Sequence, residues 1–173
     1  GEMKNDFNLS ECFDEFHRDL FRFLVKLTGD VHESEDILQD AYVRAYLKSA
    51  LFNPDRGSLK NWVDKIAINI YYDRERFRAR EEKAVAQYYD ELYREAETGG
   101  SELNFEYSKE MINAAVMMLA PDRRAIFLLS IKTPLRDVAE ILSIAEGTVK
   151  SRLFYIRKEL CANLKKICEE ENL

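Results

Sequence analysis

The sequence predicts an all-α protein: two small helical domains joined by a linker, with a helix-turn-helix in the C-terminal one. Three observations predict it. Apolar residues recur at helical spacing along most of the 173 residues, and no strict alternation bounded by turn residues runs long enough to argue for a sheet. Six glycines and three prolines, in a chain 46% hydrophobic and 34% charged, form a composition that favours helices in a soluble protein. The length is long for one small helical unit and comfortable for two.

A first helix is expected from about Leu9 to Thr28, with Phe13, Phe16, Leu20, Leu24 and Leu27 on one side and Gly29 closing its C-terminus. Asp30 and Glu33 have the spacing of a capping box for a second helix, which turns Ile37, Leu38, Ala41, Tyr42 and Ala45 inward and fades near Ala50. The segment FNPDRGS is a break, since Asn-Pro and Gly punctuate turns. Ser58 is placed to cap a third helix carrying Leu59, Trp62, Val63, Ile66, Ala67 and Ile70.

After Arg80 the character changes. From Glu81 to Glu106 eight acidic residues stand against Lys83 and Arg94, six net negative charges, which matches the −6 of the whole chain. TGGSE at 98–102 is the most flexible part of that stretch, so the linker is placed at 81–106, between domains at 1–80 and 107–173. Beyond it a helix is expected from about Tyr107 to Leu119, then one opened by Pro121 and carrying Ile126, Phe127 and Leu129.

Thr133-Pro134 reads as a cap and first turn, followed by a short helix lined by Leu135, Val138, Ala139 and Leu142. Ser143-Ile144-Ala145 is the turn. In the last helix, Val149, Leu153, Ile156 and Leu160 fall on one stripe, while Ser151, Phe154, Tyr155 and Lys158 face the other way, flanked by Lys150 and Arg152. The small Ala139 and Val149, ten residues apart, are spaced for a helix-turn-helix. An ordinary helical corner with a solvated basic face has the same pattern. Gly147 and Thr148 in the first turn, where amides can approach a phosphate, and the outward Phe154 favour DNA. From Glu146 to Lys166 six basic residues stand against two acids, so the helix is locally positive although the chain is acidic.

A second basic stretch, Lys60 to Arg80, has six basic residues against three acids and interleaves Trp62, Tyr71, Tyr72 and Phe77. Cations that follow phosphates and rings that stack on unpaired bases are what single-stranded nucleic acid requires, and Asn69 offers paired donor and acceptor atoms to a base edge. A helix with a buried Trp and a solvated basic end fits equally well. The acidic run Glu33 to Asp36, continuing into Gln39 and Asp40, is either a solvated face or a seat for a basic partner surface.

The ordered motifs SEDILQDAYVRAY, FNPDRGSLKNWVDKIAINIYYDRERFRAR, LAPDRRAIFLL and LRDVAEILSIAEGTVKSRLFYIRKEL resemble the extracytoplasmic-function sigma factors of bacterial RNA polymerase over about residues 10 to 165. The resemblance implies a promoter-recognition subunit in which 1–80 is region 2 and 107–173 is region 4. It implies that Glu35, Asp36, Leu38, Gln39 and Asp40 dock on core polymerase. Arg56, Gly57, Ser58, Asn61, Trp62, Lys65 and Asn69 would then melt the minus-ten element and capture a flipped base. Gly147, Thr148, Lys150, Ser151, Arg152, Phe154 and Tyr155 would read the minus-thirty-five major groove. The partners implied are core RNA polymerase, promoter DNA as duplex and as melted single strand, and an anti-sigma factor. Ser143 stands where the family commonly has Gly, and a non-glycine at a left-handed turn costs of order 1 kcal/mol.

No cofactor is expected. Cys12, Cys161 and Cys168 form no metal-spaced pair, His17 and His32 are isolated, and there is no Gly-rich phosphate loop or Ser/His/Asp set, so neither a metal site nor an enzyme is supported. No apolar stretch is long enough for a membrane span and GEMKNDFNLS lacks a targeting pattern, so a cytoplasmic protein is expected. The alternative function is a stand-alone helix-turn-helix regulator that binds duplex DNA tightly as a dimer without polymerase.

Overall fold

The computed structural model describes residues 9–81 and 107–171, and among these every regular element is an α-helix or a short 3-10 turn. The expected linker falls outside the described residues from 82 to 106. Helix α1 spans Leu9–Thr28 and ends at Gly29, whose φ of +71° and amide bond to the Val25 carbonyl at 2.8 Å make a left-handed closure. Helix α2, Val31–Leu47, opens on Asp30, which accepts from the Glu33 amide at 2.9 Å. Only half of the expected capping box forms. The Asp30 amide bonds to the Thr28 hydroxyl at 3.0 Å, and the Glu33 carboxylate goes to the Arg78 guanidinium, a charged donor stronger than an amide. The chain tightens into a 3-10 turn at Ser49–Leu51, and a second one at Pro54–Arg56 leads to α3, Leu59–Glu81. Ser58 caps α3 as expected, accepting from the Asn61 amide at 3.1 Å.

These three helices share one core. Leu20, Leu24 and Leu27 of α1 are buried with Ile37, Ala41 and Ala45 of α2 and Val63, Ala67 and Ile70 of α3. Two further sets of buried residues lie off the expected stripes: Phe23 on α1, and Asp64, Ile68 and Tyr71 on α3. Both follow from the second helical unit, which covers a face that a single amphipathic stripe leaves to solvent.

That unit begins with α4, Lys109–Met117, capped by the Ser108 hydroxyl, which accepts from the Met111 amide at 3.2 Å. Then come α5, Pro121–Lys132, α6, Leu135–Leu142, and α7, Glu146–Glu171. Thr133 does not cap α6: Pro134 occupies the capping position, no side chain bonds the first amides, and the helix starts at Leu135. Val138 and Ile141 are its buried residues, with Leu135, Ala139 and Leu142 partly covered. Val149, Leu153, Ile156 and Leu160 form the buried stripe of α7, as their spacing predicts. Ser143 adopts φ 55° and ψ 43°, the left-handed conformation expected for the turn, and α6 and α7 pack as a helix-turn-helix.

The two units touch along α1 with α5 and along α3 with α5 and α6. At the centre of the joint lies Arg124 of α5, a buried guanidinium whose hydrogen bonds among the described residues all go to backbone carbonyls. Its Nη1 donates to the Leu27 carbonyl of α1 at 2.7 Å. Its Nη2 donates to Met117 and Leu119 at 2.8 Å, and its Nε to Val116 at 3.3 Å. Helix C-termini carry unsatisfied carbonyls and partial negative charge, so the C-terminal ends of α1 and α4 together solvate one buried cation. Lys132, at the end of α5, places Nζ 4.5 Å from the centre of the Phe23 ring. Desolvation lowers its pKa, against a neighbouring Asp64 carboxylate that raises it.

Candidate nucleic-acid interfaces

The acidic candidates of α2 divide between its two sides. Glu35, Asp36, Gln39 and Asp40 are exposed on one face, whereas Leu38 is turned towards the core and half-buried. Asp40 is not a free carboxylate: it accepts from Arg74 of α3 at 3.0 Å. Continuing the same face at helical spacing are Val43, Tyr46 and Leu47, all more than half exposed. The spacing of three and four residues from Gln39 is the sequence signal for this apolar continuation, which the acidic run before it masks in the sequence.

The candidates for unpaired DNA are gathered at the turn before α3 and along its first half. Arg56 and Ser58 are exposed, Gly57, Asn61, Trp62 and Lys65 are partly covered, and Asn69 is exposed. Trp62 leans on Phe52, ring centres 5.4 Å apart, and packs against the core while staying partly exposed. Lys60 is drawn to the buried Asp64, Nζ to Oδ2 2.8 Å, while the other Asp64 oxygen has no hydrogen-bond partner among the described residues. Further along α3 the arginines pair with acids, Arg76 with Asp73 and Arg78 with Glu75 and Glu33, so much of the expected cationic end is internally compensated. Phe77, between them, is exposed. Tyr71 and Tyr72 are covered rather than offered as stacking rings. Burial pushes the phenol pKa of Tyr72 up to about 12, with Asp122 adding to the rise, and raises that of Tyr71 further.

The helix-turn-helix presents the third set. Gly147, Lys150, Ser151, Phe154 and Tyr155 are exposed on the side of α7 turned away from its buried stripe, while the partly covered Thr148 and the exposed Arg152 stand on the flanks, Arg152 next to Tyr72 of α3. Phe154 and Tyr155 are 55% and 66% exposed, so neither ring belongs to the core. They meet edge to face at 5.4 Å, and Lys158 Nζ lies 4.5 Å from the centre of the Phe154 ring. Lys150 is 3.7 Å from Glu146, and Glu159 pairs with Arg123 of α5, which removes one acid from the outward face. Gly147 has nothing within 4 Å of where a Cβ would stand, so no steric demand within the fold requires glycine there. Among the described residues no group of acids, histidines and cysteines could hold a metal, and no helix is long and apolar enough to cross a membrane.

An exposed acidic and apolar helix face, an aromatic-basic helix and a basic helix-turn-helix are therefore ordered along one chain. The chain matches the sigma-70 region 2 family over residues 12–81 and the sigma-70 region 4 family over residues 109–160, about seven-tenths of its length between them. It is 29% identical over 157 residues to the ECF RNA polymerase sigma factor SigL of Mycobacterium tuberculosis, spanning 90% of this chain and 88% of that protein. The ECF RNA polymerase sigma factor SigM of Bacillus subtilis is also 29% identical over 157 residues, spanning 89% and 93%. Among solved structures, the sigma factor RpoE of Bartonella quintana, in complex with the anti-sigma factor NepR, superposes with a TM-score of 0.67 at 23% identity, covering 91% of this chain and 97% of that one. CnrH, in complex with the cytosolic domain of CnrY, gives 0.64 at 18% identity. At such identities the structural likeness shows the fold, while the two regions matched in order show the family: the chain belongs to the sigma-70 family, as an extracytoplasmic-function sigma factor.

Proposed function

We propose that this sigma factor divides promoter-directed initiation among three surfaces, with domain limits at residues 80 and 107. Glu35, Asp36, Gln39 and Asp40, with Leu38 setting the helix against its core, dock α2 on core RNA polymerase in the cytoplasm. Arg56 to Ser58, Asn61, Trp62, Lys65 and Asn69 hold the melted minus-ten strand. Gly147, Thr148, Lys150, Ser151, Arg152, Phe154 and Tyr155 enter the minus-thirty-five major groove.

The observation that carries this reading is the split between the two sides of α7. Its apolar stripe is sealed, while its opposite side leaves two rings and two potential donors, Lys150 and Ser151, in solvent, with the exposed Arg152 on the flank, next to a turn of helix-turn-helix geometry. No covalent chemistry is involved. Unpairing and flipping a base costs a few kcal/mol, which stacking and docking offset within the assembled polymerase and which the free chain cannot recover. The co-crystal structure of the sigma factor RpoE with the anti-sigma factor NepR supports a partner of that kind here.

The test compares binding with and without core enzyme. The expected result is a stable one-to-one complex with core polymerase, and weak, salt-sensitive binding of duplex DNA by the free chain. Tight, dimeric, sequence-specific binding to duplex DNA without polymerase would instead establish the stand-alone regulator.

A further inference from the structure

The outward side of α7 is aromatic at its centre and cationic at its edges. Successive helix residues step by about 100°, which puts Gly147, Ser151, Phe154, Tyr155 and Lys158 opposite the stripe sealed by Val149, Leu153, Ile156 and Leu160. The two arginines of the helix fall elsewhere: Arg152 and Arg157 are exposed on opposite flanks. Its lysines near the outward side already have partners, since Lys150 Nζ is 3.7 Å from Glu146 and Lys158 Nζ is 4.5 Å from the centre of the Phe154 ring. What remains at the centre is a pair of rings, 5.4 Å apart and inclined at 83°.

The chemistry of the major groove gives that pair a specific ligand. Guanine is read there by the forked donors of Arg or by Lys, adenine by the paired donor and acceptor of Asn or Gln, and the C5-methyl group of thymine by apolar contact. The outward centre of α7 holds no guanidinium, and the one side-chain amide of the helix, Asn163, is buried and donates to the Ala115 carbonyl at 3.1 Å. The rings are also fixed before DNA arrives: the edge-to-face contact and the Lys158 ammonium over Phe154 hold their orientation, so little side-chain freedom is lost on binding. From Ser151 to Lys158 the helix rises about 10 Å, three base-pair steps of about 3.4 Å, and the two rings lie midway, within reach of two neighbouring pairs.

We infer that Phe154 and Tyr155 act together as a methyl reader: they select thymine at two neighbouring base pairs of the minus-thirty-five element by covering its C5-methyl groups, while Arg152 and Arg157 meet phosphates on either side. This rests on the assignment of α7 to that element and names what its rings recognise there. Phe154 and Tyr155 lie outside the core, so replacing them leaves the sealed stripe of α7 in place.

The experiment uses core polymerase assembled with the full chain, on a duplex promoter recovered by selection with that assembly. Thymines of the upstream element are replaced one at a time by deoxyuridine, which pairs with adenine as before and lacks only the methyl group. Affinity is read by competition with the unmodified duplex at one fixed salt concentration. The expected result is a loss of about threefold to fivefold at each of two neighbouring pairs, the factor that one buried methyl group supplies. An assembly carrying Phe154→Ala and Tyr155→Ala should bind the thymine and uracil duplexes equally at those pairs. Because the uracil series uses the parent chain, its outcome does not depend on how a variant folds. If every uracil duplex binds the parent as tightly as the original, while scrambling the whole upstream element still weakens binding, methyl reading is overturned and the exposed rings are left to a protein partner. A methyl effect that persists in the double variant also overturns it, since another group then reads the methyls. Binding indifferent to scrambling the upstream element refutes the assignment of α7 itself, and the inference with it.

Discussion

Replacing Asn69 with alanine separates the nucleic-acid role of α3 from its structural one. Asn69 lies between the buried Ile68 and Ile70, yet its own side chain is exposed and makes no hydrogen bond among the described residues. Alanine is the better helix former by about 0.5 kcal/mol at an exposed interior position, so the variant should be at least as stable as the parent. Thermal unfolding followed by circular dichroism should show a midpoint unchanged or raised by about 1–2 °C. If the amide holds a flipped base, losing a paired donor and acceptor removes about 1–3 kcal/mol, which lowers promoter opening roughly fivefold to 150-fold. Run-off transcription with core polymerase measures this, on a promoter recovered by selection with the parent chain. Undiminished transcription from a stably folded variant would refute the base-holding role. A midpoint lowered by several degrees would show that the side chain serves the fold.

Reversing Gln39 and Asp40 to lysine together should abolish co-elution with core polymerase while lowering stability by no more than about 1 kcal/mol, because the Asp40–Arg74 pair it breaks is partly solvent-exposed; retained co-elution would remove the docking assignment. Ser143→Gly relieves a left-handed non-glycine residue and should raise stability by up to about 1 kcal/mol in urea unfolding, with no gain if the hydroxyl compensates. Tyr72, with its pKa raised from 10 to about 12, favours folding as the neutral phenol. Its contribution is complete below pH 10 and is lost as pH rises from 10 to 12, on the order of 3 kcal/mol, so Tyr72→Phe should blunt the alkaline loss of stability in that window.

Much of the architecture was legible because local signals and packing agree. The bounds of α1 and its glycine stop, the Ser58 cap, the left-handed Ser143 and the sealed stripe of α7 each depend on residues within one turn of each other. What escaped the sequence depends on contacts between residues far apart. Phe23, Asp64 and Ile68 are buried because a second unit covers them, and Arg124, a charged residue in a helix, gives no hint that it will bond the Leu27 carbonyl 97 positions earlier. The same holds for charge. Lys60 to Arg80 reads as a basic ridge, but Arg74, Arg76 and Arg78 reach acids on α2 and α3, so the cations left to nucleic acid are fewer than the composition suggests. The outward side of α7 was legible because a helix with one sealed stripe must expose its opposite side.

In the proposed function two separated surfaces, one for splayed bases and one for paired ones, direct polymerase to promoters. Transcription reconstituted from core polymerase and this chain on a library of genomic fragments tests it most directly, with start sites mapped at nucleotide resolution. Initiation is expected at discrete sites that share two short elements at fixed spacing, and is lost at those sites with Asn69→Ala and with Arg152→Ala. Initiation no different from core enzyme alone, or start sites indifferent to both substitutions, would contradict it.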